Sequence, residues 1–339
     1  MPNLSKLLLN WYAKHGRDLP WRVRGRAHPD PYVILVSEFM LQQTGVQTVI
    51  PYFHRFMEKF PTIERLAAAT EEDVYLYWSG LGYYSRARAL HASAKMIVEN
   101  GGFPRTVADV LKLKGVGPYT AASFLALAFN QPETVIDGNV IRVMCRIFHL
   151  TKPVSKIMDD IRAHAAAYTD RDHPADYASA IMDLGATICT PKNPRCSDCP
   201  WQKQCLARRA GDMDKIPTVA RLVQKEKDGR VYLIKNCRGD LFIYRRSGRG
   251  LLSGLYEFPW TDDDSSLFDA AHDTGLRVTH IFTHFKLRLK IYTLNTDSVP
   301  MDGMFIQPDK LSDYPMSTLM KKVFDRCPPH ILSIFSHKL

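Results

Sequence analysis

The stretch from Leu113 to Asn139, LKGVGPYTAASFLALAFNQPETVIDGN, restricts the fold more than any other part of the chain. Gly115-Val116-Gly117-Pro118 predicts a tight backbone reversal at the two glycines, with Pro118 in the first position of the helix that follows. Such a turn directs free amides outward at the positive end of the new helix, a phosphate site that asks for no particular base sequence. Tyr119 to Phe129 is apolar nearly all round, so this helix is expected to run through a domain centre and to end at Asn130-Gln131-Pro132. Thr134-Val135-Ile136 then leads to Asp137, for which two roles are compatible. It can cap the next helix, and a capping carboxylate held by backbone amides stays ionised, as is wanted beside a developing cation.

A chain of 339 residues is long enough for two domains, and 45% hydrophobic with 24% charged excludes a disordered or fibrous chain. The longest apolar run is far short of a membrane span, and Leu7, Leu8, Trp11 and Tyr12 among polar residues predict an amphipathic helix rather than a signal peptide. An intracellular protein is therefore expected. A formal charge of +10 favours a polyanionic partner.

Seven cysteines in a reducing compartment argue against a disulfide framework, and their distribution is uneven. Cys145, Cys237 and Cys327 are scattered. Cys189, Cys196, Cys199 and Cys205 share one short polar loop with a single C-x2-C. Structural zinc usually draws two separated Cys pairs onto one ion. A [4Fe-4S] cubane, whose irons occupy several corners, accepts staggered spacing from one loop and is the favoured cofactor.

Other candidate residues lie upstream. Tyr32 to Met40 reads YVILVSEFM, apolar or aromatic except at Ser37 and Glu38. A Glu on an otherwise buried helix is costly to ionise, so its pKa should rise, as a general acid near neutrality requires; the other reading of Glu38 is a residue at the helix rim. Gln42, Gln43 and Thr44 offer amides and a hydroxyl toward base edges, or form a plain polar helix end. The Arg17-Asp18-Leu19-Pro20-Trp21-Arg22 corner is either a packed tryptophan with solvated arginines or a DNA contact. Trp78 to Arg86, WSGLGYYSR, offers Tyr83 as an aromatic wedge for a base stack, against the alternative of core tyrosines.

Three motifs in this order and spacing (LKGVGPYTA, VIDGNV and the four-cysteine loop) make residues 1–210 resemble the helix-hairpin-helix DNA glycosylase superfamily. Two branches carry such a cluster loop, the endonuclease III type and the adenine DNA glycosylases of the MutY type. The former places a lysine in the hairpin helix to form a Schiff base and cut the strand. Here that position is Tyr119, and Ile141 offers no substitute amine. SEFMLQQT, GLGYYSRA and the presence of a further domain are closer to the MutY pattern.

The resemblance implies a mainly α N-terminal region, with a six-helix-type domain over 28–135 and an iron-sulfur domain from 1–27 plus 136–210. A charged linker over 211–228 and a C-terminal α+β Nudix-like domain over 229–339 complete it. In that domain Val231 to Ile234, Leu241 to Tyr244 and Leu287 to Leu294 predict strands, and Ser317 to Phe324 a helix. The segment matching the metal-binding helix of working Nudix hydrolases, Phe268 to Leu276, lacks their clustered glutamates, so a reader without hydrolase activity is inferred. The family recognises 8-oxoguanine through a Phe-Ser-His loop, and Phe282-Thr283-His284 matches with threonine for serine.

The implied function is monofunctional excision of adenine mispaired with 8-oxoguanine, and with guanine, from double-stranded DNA by a monomer in base excision repair. The implied roles are Glu38 as acid at N7 of adenine and Asp137 as stabiliser of the sugar cation, with Tyr119 and Asn139 orienting them. DNA contacts would come from Gln42, Gln43, Thr44, Tyr83, Gly115 and Gly117. Asp183, in the DLGA segment, touches the adenine edge or is a helix-surface aspartate. Two alternatives remain: an endonuclease III-like glycosylase-lyase acting on damaged pyrimidines, and a noncatalytic DNA-binding scaffold.

Overall fold

The structure is a computed structural model and describes residues 3–23, 29–218, 225–247, 250–282 and 284–328. It divides into two compact units: residues 1–68 with 89–221, and residues 69–88 with 222–339. The division departs from a simple N-terminal and C-terminal halving, because residues 69–88 group with the C-terminal sheet.

The first unit is helical. It contains α1 (Leu4–His15), α2 (Pro31–Leu41), α3 (Val46–Lys59) and α4 (Ile63–Ala68). After α5 (Glu71–Trp78) of the second unit, the division falls within α6 (Tyr84–Glu99). The first unit then resumes with α7 (Val107–Val110), α8 (Pro118–Phe129), α9 (Gly138–Ile147), α10 (Met158–Tyr168), α11 (Pro174–Asp183) and α12 (Leu206–Ala210). A turn of π-helix, Leu184–Ile188, carries α11 into the cysteine loop.

α8 is apolar on all sides and has Pro118 in its first turn, so it runs buried through this unit and stops at Asn130, which turns left-handed at φ +51. α9 is the opposite case, strongly amphipathic and capped by Asp137. α1 lays Leu4, Leu8 and Tyr12 on the core formed by α8, α9 and α11, and Trp201 of the cysteine loop donates its indole N–H to Leu4 O at 2.9 Å. The N-terminal helix and the loop nearly 200 residues away are thus fastened together, with 197 residues separating the bonded groups.

The second unit is built on a six-stranded sheet, ordered β3-β2-β1-β5-β4 with β6 against β2. The strands are β1 (Lys225–Lys235), β2 (Leu241–Arg245), β3 (Tyr256–Glu257), β4 (His272–Ile281), β5 (Phe285–Asn295) and β6 (Met304–Ile306). β1 and β5 pair in parallel over their full length, from Lys225 opposite Phe285 to Lys235 opposite Asn295. Alternation along β5 puts Leu287, Leu289 and Ile291 in the core beneath α13 (Thr318–Arg326). The other face carries Lys286, Arg288 and Lys290, paired with Glu226, Asp228 and Asp264.

Two local expectations fail here. Residues 225–228, expected in the linker, form the first part of β1, because β5 offers a parallel partner along that whole length. Phe268 to Leu276 does not form a helix; His272 onward is β4, hydrogen-bonded to β5 with a bulge between Asp273 and Arg277. No described helix is long and apolar enough to cross a membrane.

Candidate active site

In the hairpin of the first unit the two glycines do different work. Gly115 is left-handed at φ +71, and a Cβ there would lie 2.6 Å from that of Ala89. Gly117 is the extended N-cap of α8 at φ -102, with open space where a Cβ would go. Folding therefore demands glycine only at Gly115, whereas Gly117 leaves the helix N-terminus uncovered. The Gln42 amide donates to Thr120 Oγ1 at 3.2 Å, tying the end of α2 to the hairpin helix. Gln43 beside it is exposed and left-handed at φ +58, and Thr44 Oγ1 donates to Gln42 O at 3.4 Å. Gln42 thus braces the hairpin while Gln43 projects.

A cleft of about 850 Å³ opens in this unit, lined by Trp21, Arg22, Glu38, Tyr119, Asp137 and Asn139 among others. That size suits a nucleobase with its sugar. Glu38 is buried on α2, which is apolar along nearly its whole length. Burial pushes its carboxyl up to about 7, Asp137 adds to the rise, and Ser123 and Arg22 oppose it.

Asp137 sits in the other environment. As the N-cap of α9 it accepts from Val140 N at 2.7 Å and from Asn139 Nδ2 at 2.8 Å. The cleft therefore holds one carboxyl protonatable near neutrality and one fixed by N–H donors. Asn139 is held in turn by Arg142, whose Nη2 donates to Asn139 Oδ1 at 2.8 Å and to Gly185 O at 2.7 Å, and whose Nε donates to Cys189 O at 2.7 Å. A Cβ on Gly185 would lie 2.5 Å from that of Asn139, so the π-helix can approach the start of α9 only at a glycine. The Tyr119 hydroxyl donates to Met182 Sδ at 3.3 Å, and burial with the nearby Glu38 and Asp137 holds it well above the usual phenol range.

Asp183 is not a surface residue. Its carboxylate is fully buried, with Arg17 donating through N and Nε at 2.8 Å each and Arg22 through Nη1 and Nη2 at 2.8 and 2.9 Å. Burial opposes its charge, but Arg22 and Arg17 hold the carboxyl below the usual range. Arg17 and Arg22 line the cleft in front of it. The arginine corner was visible in the sequence; its buried partner, 161 residues or more away, was not.

The four loop cysteines lie half-buried where α9, the π-helix and α12 meet. Burial pushes the Cys199 thiol up to about 12, and the charges of Cys189, Cys205 and Cys196 push the same way. Four mutually repelling sulfurs suit a cationic group that binds them as thiolates. Among the described residues no three His, Cys, Asp or Glu side chains converge tightly enough for a single metal ion. Arg146 of α9 locks the loop, donating to Thr190 O at 2.7 Å and to Cys189 Sγ at 3.4 Å.

In the second unit Tyr83 is 45% exposed on the loop before α6, and its backbone is left-handed at φ +49. Phe282 lies at the β4–β5 turn, edge-on to His280 with ring centroids 4.7 Å apart, and His284 is exposed. Thr283 lies outside the described residues.

Residues 36–164 match the HhH-GPD superfamily base excision DNA repair proteins, 189–205 the iron-sulfur binding domain of endonuclease III, and 230–326 the NUDIX domain. The chain is 32% identical to the adenine DNA glycosylase of Homo sapiens, over 94% of this chain and 72% of that protein. It is 33% identical to that of Mus musculus, over 95% and 77%. With that of Buchnera aphidicola subsp. Schizaphis graminum the identity is 33%, over 84% and 85%. Among solved structures, a thermostable thymine-DNA glycosylase superposes with a TM-score of 0.54 at 27% identity, covering 61% of this chain and 95% of that one. An endonuclease III bound to DNA gives 0.50 at 21% identity, covering 61% and 94%, a likeness of fold.

Proposed function

The chain belongs to the adenine DNA glycosylases of the helix-hairpin-helix superfamily, enzymes of base excision repair that carry a [4Fe-4S] cluster, and on that premise we propose that it removes adenine mispaired with 8-oxoguanine, without cutting the strand. The observation that carries the chemistry is the pair of carboxyls in one cleft, Glu38 raised to about 7 and Asp137 anchored by Val140 N and Asn139.

In this reading the hairpin amides at Gly115 and Gly117 grip a phosphate, Gln43 and Tyr83 enter the stack, and the adenine turns into the cleft. Unstacking costs a few kcal/mol, less at a mispair. Protonated Glu38 gives its proton to N7, which turns a poor leaving group into a good one. As the glycosidic bond breaks, the anion of Asp137 faces the developing sugar cation, and a water then adds to the anomeric carbon, its proton going to the Glu38 carboxylate left by the first transfer. Asn139, held by Arg142, keeps Asp137 aimed, and Tyr119 closes the wall where the lyase branch has its lysine. Arg17 and Arg22, held in place by Asp183, supply donors for the base edge. Cys189, Cys196, Cys199 and Cys205 would hold the cluster, which supplies a cross-link for their loop.

The C-terminal unit acts as the reader of 8-oxoguanine through Phe282, Thr283 and His284, the loop that matches the family pattern. Its segment Phe268 to Leu276 lacks the clustered glutamates of working Nudix hydrolases, which supports recognition rather than hydrolysis.

The test is single-turnover excision from duplexes with adenine opposite 8-oxoguanine, guanine or thymine, analysed with and without alkali. The expected order is 8-oxoguanine, then guanine, then thymine, with breakage only after alkali. Prompt scission, or trapping of a protein–DNA adduct by borohydride, would support the glycosylase-lyase instead.

A further inference from the structure

Two arginines of α9 stand one turn apart and both are buried, Arg146 at 2% exposure and Arg142 at 9%. Both reach Cys189: Arg142 Nε donates to its carbonyl at 2.7 Å, and Arg146 Nη1 to its sulfur at 3.4 Å. Arg146 also donates to Thr190 O at 2.7 Å, to Pro191 O at 3.0 Å, and through Nε to Met213 O and Ile216 O at 2.9 Å each. The remaining acceptors of Arg142 are Gly138 O, Gly185 O and Asn139 Oδ1. All of these are neutral except the Cys189 sulfur. Among the described residues no carboxylate bonds to either guanidinium, and Arg142 reaches Asp137 only through Asn139.

A buried arginine ordinarily has a partner of opposite charge, because burial strips its hydration. Arg17 and Arg22 follow that rule and share the buried carboxylate of Asp183. The α9 pair instead has carbonyls and one sulfur. Four thiolates outweigh the positive charge of a [4Fe-4S] core, so the loaded centre held by Cys189, Cys196, Cys199 and Cys205 is an anion. Lys192, Arg208, Asp214 and Lys215, on or just after the loop, are exposed, where water and salt screen them. Arg146 and Arg142 are cations that solvent scarcely reaches.

We propose that Arg146, seconded by Arg142, is the built-in counter-charge of the iron-sulfur centre, a positioning residue whose buried cation retains the cluster and sets its potential. A nearby cation favours the more negative of two cluster states and so raises the potential, and a hydrogen bond to the Cys189 thiolate acts in the same direction. The inference rests on the four-cysteine ligand set and needs neither the wedge nor the reader role.

The experiment uses the full chain with its cluster and measures two quantities. One is the midpoint potential at an electrode, which supplies and removes the electron; the other is the rate at which a chelator strips the visible iron-sulfur absorbance. Arg146→Gln keeps hydrogen-bond donors and loses the charge. It is expected to lower the potential and to lose its cluster about ten-fold faster or more, the effect of removing one charge-assisted hydrogen bond. Arg146→Lys keeps the charge and loses the planar fork, so its potential should stay close to that of the parent even where its unfolding temperature falls. A merely structural arginine would not separate the two variants in this way. Arg208→Gln, which neutralises an exposed cation just after Cys205, should leave both quantities unchanged. In the parent the potential should hold steady between about 0.1 and 1 M salt, as the screening length falls from about 10 to about 3 Å. The proposal is overturned if Arg146→Lys departs from the parent potential as far as Arg146→Gln, if Arg208→Gln departs as far, or if the parent potential follows the salt. Where Arg146→Gln yields no soluble loaded protein, Arg146→Lys and the salt series still decide. A parent chain that carries no cluster overturns the ligand set and this proposal together.

Discussion

Burial and the nearby Asp137 carboxylate leave Glu38 about half protonated at neutrality, and two consequences of opposite sign follow from that one residue. As the proposed acid it must carry a proton, so single-turnover excision should fall as pH rises through about 7. For stability, the folded-state pKa lies above the unfolded value of 4.5, so the folded chain binds more protons in between. Stability contributed by the neutral carboxyl is full below the unfolded value and is lost as pH rises through about 7, on the order of 3 kcal/mol. Glu38→Gln should therefore abolish excision, by about 10²-fold or more, yet unfold at a higher temperature than the parent at pH 8. A Glu38→Gln chain that is inactive but less stable at pH 8 would point to a structural carboxylate. The raised pKa was legible in the apolar run around Glu38; the opposing influences of Arg22 and Ser123 were not, because they come from other segments.

At the scale of elements, two close approaches shape the site. Gly115 and Gly117 look equivalent in the hairpin motif, but only the first is left-handed and crowded. Gly115→Ala should destabilise folding by roughly 1–3 kcal/mol, read as a lower unfolding temperature. Gly117→Ala should fold normally and bind duplex DNA more weakly, because its methyl would stand where the α8 amides meet a phosphate. Equal effects on both measurements would remove the distinction. Gly185 permits the second approach. A Cβ there would strike Asn139, so Gly185→Ala should slow excision about ten-fold or more through misplacement of the Asp137–Asn139 turn, with a smaller effect on DNA binding. β4 gives the reverse lesson. Residues 272–276 look like the end of a helix locally, yet ladder bonds to β5 and the Thr274 hydroxyl on Ile291 O draw them into the sheet.

For the whole molecule, the cysteine loop is a fastening between distant parts of the first unit. Cys189 receives Arg142 at its carbonyl and Arg146 at its sulfur, and Trp201 reaches back to α1. Cys199→Ser should lose the visible iron-sulfur absorbance and lower the unfolding temperature by several degrees. A variant that kept its absorbance would discredit the ligand set. The formal charge of +10 belongs to this scale too: affinity for undamaged duplex should fall steeply with salt, since phosphate contacts carry that part of binding.

Much of this protein was readable from contiguous residues because the features concerned are local. A glycine turn before an apolar helix, a carboxylate at a helix start, a glutamate in an apolar run and four cysteines on one loop each carry their physical meaning within a few positions. The cleft shared by Glu38 and Asp137, the burial of Asp183 between Arg17 and Arg22, and the association of residues 69–88 with the C-terminal sheet depend on partners 99 or more residues apart. Local patterning determined which elements form and which chemistry they carry. Tertiary packing alone decided which carboxyl loses its water, which glycine must stay glycine and which arginines lie buried against Cys189, because desolvation and close approach arise only between segments brought together by the fold.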